Sequence, residues 1–164
     1  MSALPSEDRW LRPLVLRDLD AVLAIENRAY AHPWTRGNFV DALAAGHWSR
    51  VLLASRAVPL VGYAIAMPGV GEVHLLNLTV AAAHEHRGHA RFMLDALGDE
   101  CRARRAAKLW LEVRAGNLRA RAVYARYGFV EAGLRRGYYP AGHLAREDAV
   151  VMNLTVWREP DALE

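Results

Sequence analysis

The sequence has almost no cysteine, almost no lysine and no long apolar run. A lone Cys101 excludes an internal disulfide and suits a reducing compartment, so a cytoplasmic location is expected. No stretch approaches the roughly 18 uninterrupted apolar residues of a membrane helix. Met1 to Asp8 lacks the basic region and apolar segment of a secretion signal, so no membrane association is expected. There is no internal repeat, low-complexity tract or Ser/Gly linker. Lys108 is the only lysine, and the formal net charge of +3 therefore rests on arginine. Arginine grips phosphate as a planar fork, which is compatible with a phosphorylated ligand, although a preference for arginine codons produces the same bias. No stripe of aromatics interleaved with arginines points to nucleic acid, and none is expected as a partner.

What is present is an ordinary globular pattern: 164 residues, 53% hydrophobic and 24% charged. That length suffices for one domain with a core that needs no disulfide or metal staple. Apolar periodicity places the domain over residues 9–157, with flexible ends expected at 1–8 and 158–164. Trp10 to Leu14 reads as a strand, and Asp18 as the cap of a helix over Leu19 to Ala29. His32-Pro33-Trp34 breaks that helix, and Thr35 starts another. Arg50 to Ala54 and Leu60 to Met67 form a hairpin about Arg56-Ala57-Val58-Pro59. A strand over Glu72 to Val80 follows, then a helix from Gly88 to about Arg105 and a strand over Lys108 to Val113. Asn117 opens a helix that ends at Tyr127 with Gly128 as its cap. Phe129 to Arg135 and Ala149 to Val156 are the last strands. Antiparallel strands first and a βαβα centre later predict an α+β fold with a mixed, mostly antiparallel sheet flanked by helices.

Three features carry chemistry. At Val80 to Arg91 a strand ends in a loop, and Glu85-His86-Arg87-Gly88-His89-Ala90-Arg91 opens a helix. Free N–H groups at a helix start bind pyrophosphate, and Gly88 and Ala90 admit it close to the backbone. Many helix starts carry a glycine for no such reason. In Leu109-Trp110-Leu111-Glu112-Val113, alternation puts Trp110, Glu112 and Arg114 on one face. Burial there would raise the Glu112 pKa and suit it to proton transfer, unless Glu112 is simply paired with an arginine. The third is Asn117-x-x-Ala120-x-x-x-Tyr124-x-x-x-Gly128-Phe129, where Asn117 also makes an ordinary N-cap and Tyr124 an ordinary core tyrosine. His84, His86 and His89 lack a further ligand at metal spacing, so no metal is expected.

In this order the features resemble the GNAT superfamily of N-acetyltransferases and, more narrowly, the bacterial ribosomal-protein alanine N-acetyltransferases (the RimI family). The resemblance runs through Glu26-Asn27-Arg28-Ala29, Pro33-Trp34, Asn77-Leu78-Thr79-Val80 and Leu109 to Arg114. It continues in the Asn117 to Phe129 pattern, Arg135-Arg136-Gly137-Tyr138-Tyr139-Pro140 and Arg146-Glu147-Asp148-Ala149. It implies the GNAT fold and acetyl-coenzyme A as cosubstrate. Leu78, Thr79 and Val80 would meet the pantetheine arm and thioester, and His86, Arg87, Gly88, His89, Ala90 and Arg91 the pyrophosphate. Asn117 would touch the cofactor from its other side. Glu112 matches the general base and Tyr124 the acid that protonates the departing thiolate. Trp34, Tyr138 and Tyr139 match positions bordering a peptide groove, although an exposed tyrosine pair on a sheet edge looks the same in sequence. Tyr138 and Tyr139 are expected on the turn between the last two strands. The family's loop usually opens with Gln or Arg. Glu85 stands there in this chain, which predicts weaker cofactor affinity or an outward-turned Glu85.

The implied substrate is a protein N-terminus, the alanine of small-subunit ribosomal protein 18. An α-amino group, with a pKa of roughly 7.7–8.0, is easier to deprotonate than a lysine near 10.4, which a weakly basic carboxylate would favour. A GNAT enzyme acting on a small-molecule amine, or a non-catalytic acetyl-CoA-binding module, are the competing readings. The Tyr-Tyr-Pro segment argues against the first, and joint retention of Glu112 and Tyr124 against the second.

Overall fold

A computed structural model describes residues 8–56 and 60–159. Residues 57–59 of the expected hairpin turn and most of both expected flexible ends lie outside them. The elements are β1 (Trp10–Pro13), α1 (Leu19–Ala29), α2 (Arg36–Ala44), β2 (Trp48–Leu53), β3 (Gly62–Pro68), β4 (Glu72–Val80), α3 (His89–Ala103), β5 (Lys108–Arg114), α4 (Leu118–Tyr127), β6 (Val130–Ala141) and β7 (Ala145–Thr155). They form the expected α+β fold: a seven-stranded mixed sheet, in the order β1-β2-β3-β4-β5-β7-β6, with four helices. β4 and β5 run parallel; β1/β2, β2/β3, β5/β7 and β6/β7 are antiparallel. None of the described helices is long and apolar enough to cross a membrane.

Contacts gather the chain into two compact units. One comprises the chain up to Ala66 with Asn77–Leu94, the other Met67–Leu76 with the chain from Asp95 onward. In the first, α1 turns Leu19 and Val22 inward, and Phe39, Leu52, Tyr63, Ile65, Met93 and Leu94 complete a closed core. The next core position of α1 after Val22, one turn on, is occupied by Glu26. Gly62 is dictated by packing: a Cβ there would stand 2.7 Å from the Thr79 carbonyl oxygen. The Thr35 hydroxyl accepts from the Asn38 N–H and caps α2 as expected.

In the second unit Leu97 and Cys101 of α3 pack with Leu109, Leu111, Val113, Phe129, Val150 and Met152 in its core. β5 alternates as its sequence dictates, with Leu109, Leu111 and Val113 buried and Lys108, Trp110, Glu112 and Arg114 half-buried. Gly128 ends α4 at φ +124°, a backbone geometry that glycine adopts without strain.

Two local expectations fail. Asp18 does not cap α1 through its side chain. Its oxygens instead receive both terminal nitrogens of Arg12 at 2.7 Å and the Val15 N–H at 2.9 Å, because β1 places a guanidinium within reach. The last hairpin is also longer than its apolar pattern suggests. β6 continues to Ala141 and β7 begins at Ala145, since Tyr139, Pro140 and Ala141 pair with Glu147, Arg146 and Ala145 after a register shift. Tyr138 and Tyr139 therefore lie within β6 and not on the connecting turn.

Candidate active site

In the first unit β4 leads through a turn into the start of α3. The first α-helical bond of α3 runs from the Phe92 N–H to the Gly88 carbonyl. The positive end of the helix dipole therefore lies at this turn. Gly88 sits at φ +77°, and His86 at φ 62°, so the chain turns sharply at the helix start. The Arg9 guanidinium braces the turn: it donates to the Arg87 carbonyl at 3.0 Å and lies 4.8 Å over the Phe92 ring. A Cβ added at Gly88 would stand 3.6 Å from that guanidinium. Backbone, helix dipole and Arg9 together suit a pyrophosphate. Arg87 and Arg91 are exposed, Ala90 half-buried and His89 buried. Glu85 is half-buried, its N–H turned back to the Ala82 carbonyl.

Leu78, Thr79 and Val80 end β4, half-buried, buried and half-buried. Below them runs a hydrogen-bonded network that sequence reasoning missed. Glu26, 1% exposed, accepts from the Tyr63 hydroxyl, the Asn77 side-chain amide at 3.2 Å and the Trp34 backbone N–H at 3.0 Å. The Thr79 hydroxyl donates to the Asn77 oxygen at 2.8 Å and lies 2.7 Å from the Tyr30 hydroxyl. Trp34 is thus held by its backbone, while its ring lies 5.1 Å from that of Phe39. Desolvation, followed by the nearby Glu26 charge, pushes the Tyr63 hydroxyl far above its ordinary range. The sequence signals for this network are a glutamate in phase with Leu19 and Val22 and its place in the Glu26-Asn27-Arg28-Ala29 motif.

In the second unit the acid of β5 is heavily engaged. Glu112 is 8% exposed; one oxygen bonds to His74 Nε2, and the other lies 3.3 Å from Arg135. Register explains the meeting. His74 of β4 is paired with Trp110, so it shares the face of Glu112 one step along β5. Arg135 of β6 is paired with Ala149 of β7, which is paired with Arg114, two residues beyond Glu112. The expectation that burial lifts the Glu112 pKa is overturned. Desolvation does push it up, but His74 and then Arg135 outweigh that push and hold the carboxyl below its ordinary value. His74 was not foreseen; it is a lone histidine between the buried Val73 and Leu75, and only the register reveals what it faces.

Around this pair stand aromatic rings. Tyr138 and Tyr139 meet edge to face at 4.9 Å, Arg135 lies 5.3 Å over Tyr138, and Arg114 lies 4.5 Å over Tyr139. Arg114 is fixed by the Pro140 carbonyl at 2.8 Å and Glu147 at 3.2 Å. Burial and the neighbouring Glu112 charge push the Tyr139 hydroxyl up to about 12. On α4, Asn117 accepts from the Ala120 N–H at 3.1 Å, so its oxygen serves as a helix cap. The half-buried Tyr124 stacks edge-on against Phe129 at 5.5 Å. Among the described residues no cluster of three His, Cys, Asp or Glu is placed to hold a metal ion.

Residues 19–129 match the family model described as Acetyltransferase (GNAT) family. The [ribosomal protein bS18]-alanine N-acetyltransferase of Salmonella typhimurium is 37% identical over 139 residues, covering 85% of this chain and 92% of the relative. The enzyme of that name from Escherichia coli (strain K12) gives the same figures. The crystal structure of the ribosomal-protein-S18-alanine N-acetyltransferase from Escherichia coli superposes with a TM-score of 0.83 at 35% identity. That alignment covers 95% of this chain and 99% of the other.

Proposed function

The chain belongs to the GNAT acetyltransferase family, and on that premise we propose that it acetylates the N-terminal alanine of small-subunit ribosomal protein bS18. The observation carrying this reading is the near full-length similarity to enzymes named for that reaction, at 37% identity. The donor is acetyl-CoA, as in the family. The reading places the enzyme in the cytoplasm with its substrate.

The proposed reaction is a direct transfer. The amine nitrogen forms a bond to the acetyl carbon while the carbon–sulfur bond breaks, and no enzyme nucleophile is needed. The amine gives up a proton on the Glu112 side, and the thiolate takes one from Tyr124. The β4 end, with Leu78, Thr79 and Val80, lines the thioester arm. The Gly88 turn with His86, Arg87, His89, Ala90 and Arg91 receives the pyrophosphate, and Asn117 contacts the cofactor. Trp34, Tyr138 and Tyr139 border the peptide, leaving a small first residue favoured.

Peptides with the substrate's N-terminal sequence test this reading. The free alanine peptide should be acetylated on its α-amine, a tryptophan-first analogue more slowly, and an acetyl-blocked peptide with an internal lysine scarcely at all. Equal rates on the blocked lysine peptide would overturn the N-terminal assignment. Faster turnover of a polyamine than of any peptide would support a small-molecule acetyltransferase instead.

A further inference from the structure

Glu112 is poorly placed to take the amine proton itself. One oxygen is committed to His74 Nε2 and the other faces the Arg135 guanidinium at 3.3 Å. Accepting a proton would sacrifice a hydrogen bond or a charge pair. A carboxylate stabilised in this way is a weak base toward an amine. The histidine has the complementary properties. If Nε2 carries the hydrogen donated to Glu112, then Nδ1 carries the lone pair. At 26% exposure the His74 side chain is neither sealed nor loose. A carboxylate holding one ring nitrogen fixes the tautomer and orientation of an imidazole and stabilises the imidazolium that forms.

We propose that His74 is the proton acceptor of the reaction and that Glu112 acts through it, as the group that sets its tautomer. This rests on the acetyltransferase reading above and refines which atom takes the proton. The amine proton passes to His74 Nδ1 as the nitrogen–carbon bond forms, and Nε2–H stays on Glu112. The carbon–sulfur bond breaks, Tyr124 protonates the thiolate, and solvent then removes the proton from His74 and restores that of Tyr124. The charged and titratable groups on the face that His74 shares are Lys108, Glu112 and Arg114 of β5, Arg135 and Tyr139 of β6 beside that carboxylate, and Glu72 on its own strand.

The test is the pH dependence of kcat on the alanine peptide for wild type, His74→Gln and Glu112→Gln. Only a neutral imidazole accepts a proton, so wild-type kcat should fall toward acid. His74→Gln should lower kcat by about 10²–10⁴-fold at little change in acetyl-CoA affinity, and should lose that limb. Added imidazole should restore part of the rate to His74→Ala, which a structural role would not allow. A His74→Gln enzyme within threefold of wild type, with its acid limb intact, would overturn the proposal. Nitrogen-15 spectra of the wild-type histidines give an independent reading should the variants not fold. A lone pair at His74 Nδ1 supports the proposal, and one at Nε2 refutes it. Failure of the wild type to acetylate any amine would instead refute the acetyltransferase reading, and this one with it. An active wild type with an indifferent His74 refutes this one alone.

Discussion

Two glutamates, one in each unit, have different surroundings. Glu26 ends up inside the first unit with neutral donors only: a tyrosine hydroxyl, a side-chain amide and a backbone N–H. Glu112, half-buried, is met by an imidazole and a guanidinium, and that guanidinium belongs to a side chain 55% exposed. Neutral donors hold a carboxylate in place and offer the proton no destination. A histidine and an arginine at the edge of solvent set a charge balance that a reaction can disturb. The contrast separates a glutamate held by neutral donors from one held between a histidine and an arginine, and burial alone does not make that distinction.

The contrast can be broken in several ways. The largest effect belongs on the reactive side. Tyr124→Phe should cut turnover by roughly 10²–10⁴-fold while acetyl-CoA binding holds, because the hydroxyl matters only as the thiolate forms. A loss under tenfold would make Tyr124 a packing residue against Phe129. Next comes Glu26→Ala, which strands the Tyr63, Asn77 and Trp34 donors. At roughly 1–3 kcal/mol per buried group left unsatisfied, partly relieved by relaxation, about 3–5 kcal/mol of stability should vanish. At about 2–4 °C per kcal/mol for a chain of this size, thermal unfolding should show a drop of the order of 10 °C. Unchanged melting would mean the network is incidental.

Smaller again is Gly88→Glu, which sets a carboxylate and a strained φ at the helix start. Acetyl-CoA affinity, read by calorimetry, should fall at least about tenfold, or about 1.4 kcal/mol. An unaltered affinity would remove the pyrophosphate assignment. The smallest effect is Arg135→Gln. Glu112 is held below its ordinary value of 4.5, so the stability it contributes is present above that value and lost as pH falls through the folded one. Losing Arg135 raises the folded value toward 4.5. The gap between wild type and Arg135→Gln should therefore be constant above about pH 4.5 and close as acid is added. Because Arg135 is half in solvent, the gap should stay below about 1 kcal/mol.

Much of this was legible in the chain. Strand β4 and helix α1 fall where alternation and helical period put them, and Gly128 caps α4 as a glycine past a helix end should. Glu112 was visible as an acid within an apolar strand. Its partners were not, because His74 lies 38 positions earlier and Arg135 is brought in across β7, and registers are set by the whole sheet. The pKa direction failed for the same reason: burial can be read from one strand, but compensating charges cannot. Glu26 stood inside a recognisable motif, yet its role as the centre of a network required Tyr63 and Asn77 from two other strands.

The most direct trial of the contrast compares two changes of equal size, Glu26→Gln and Glu112→Gln, in one enzyme preparation. For each, kcat on the alanine peptide would be measured below the unfolding transition, and the melting temperature by thermal unfolding. Glu112→Gln should lose about 10²–10⁴-fold in kcat and melt within a few degrees of wild type. Glu26→Gln should keep kcat within about threefold and melt clearly lower, since an amide supplies one acceptor where the carboxylate supplied two. The reverse pattern, or a Glu26→Gln enzyme that folds as well as wild type and does not turn over, would contradict the account.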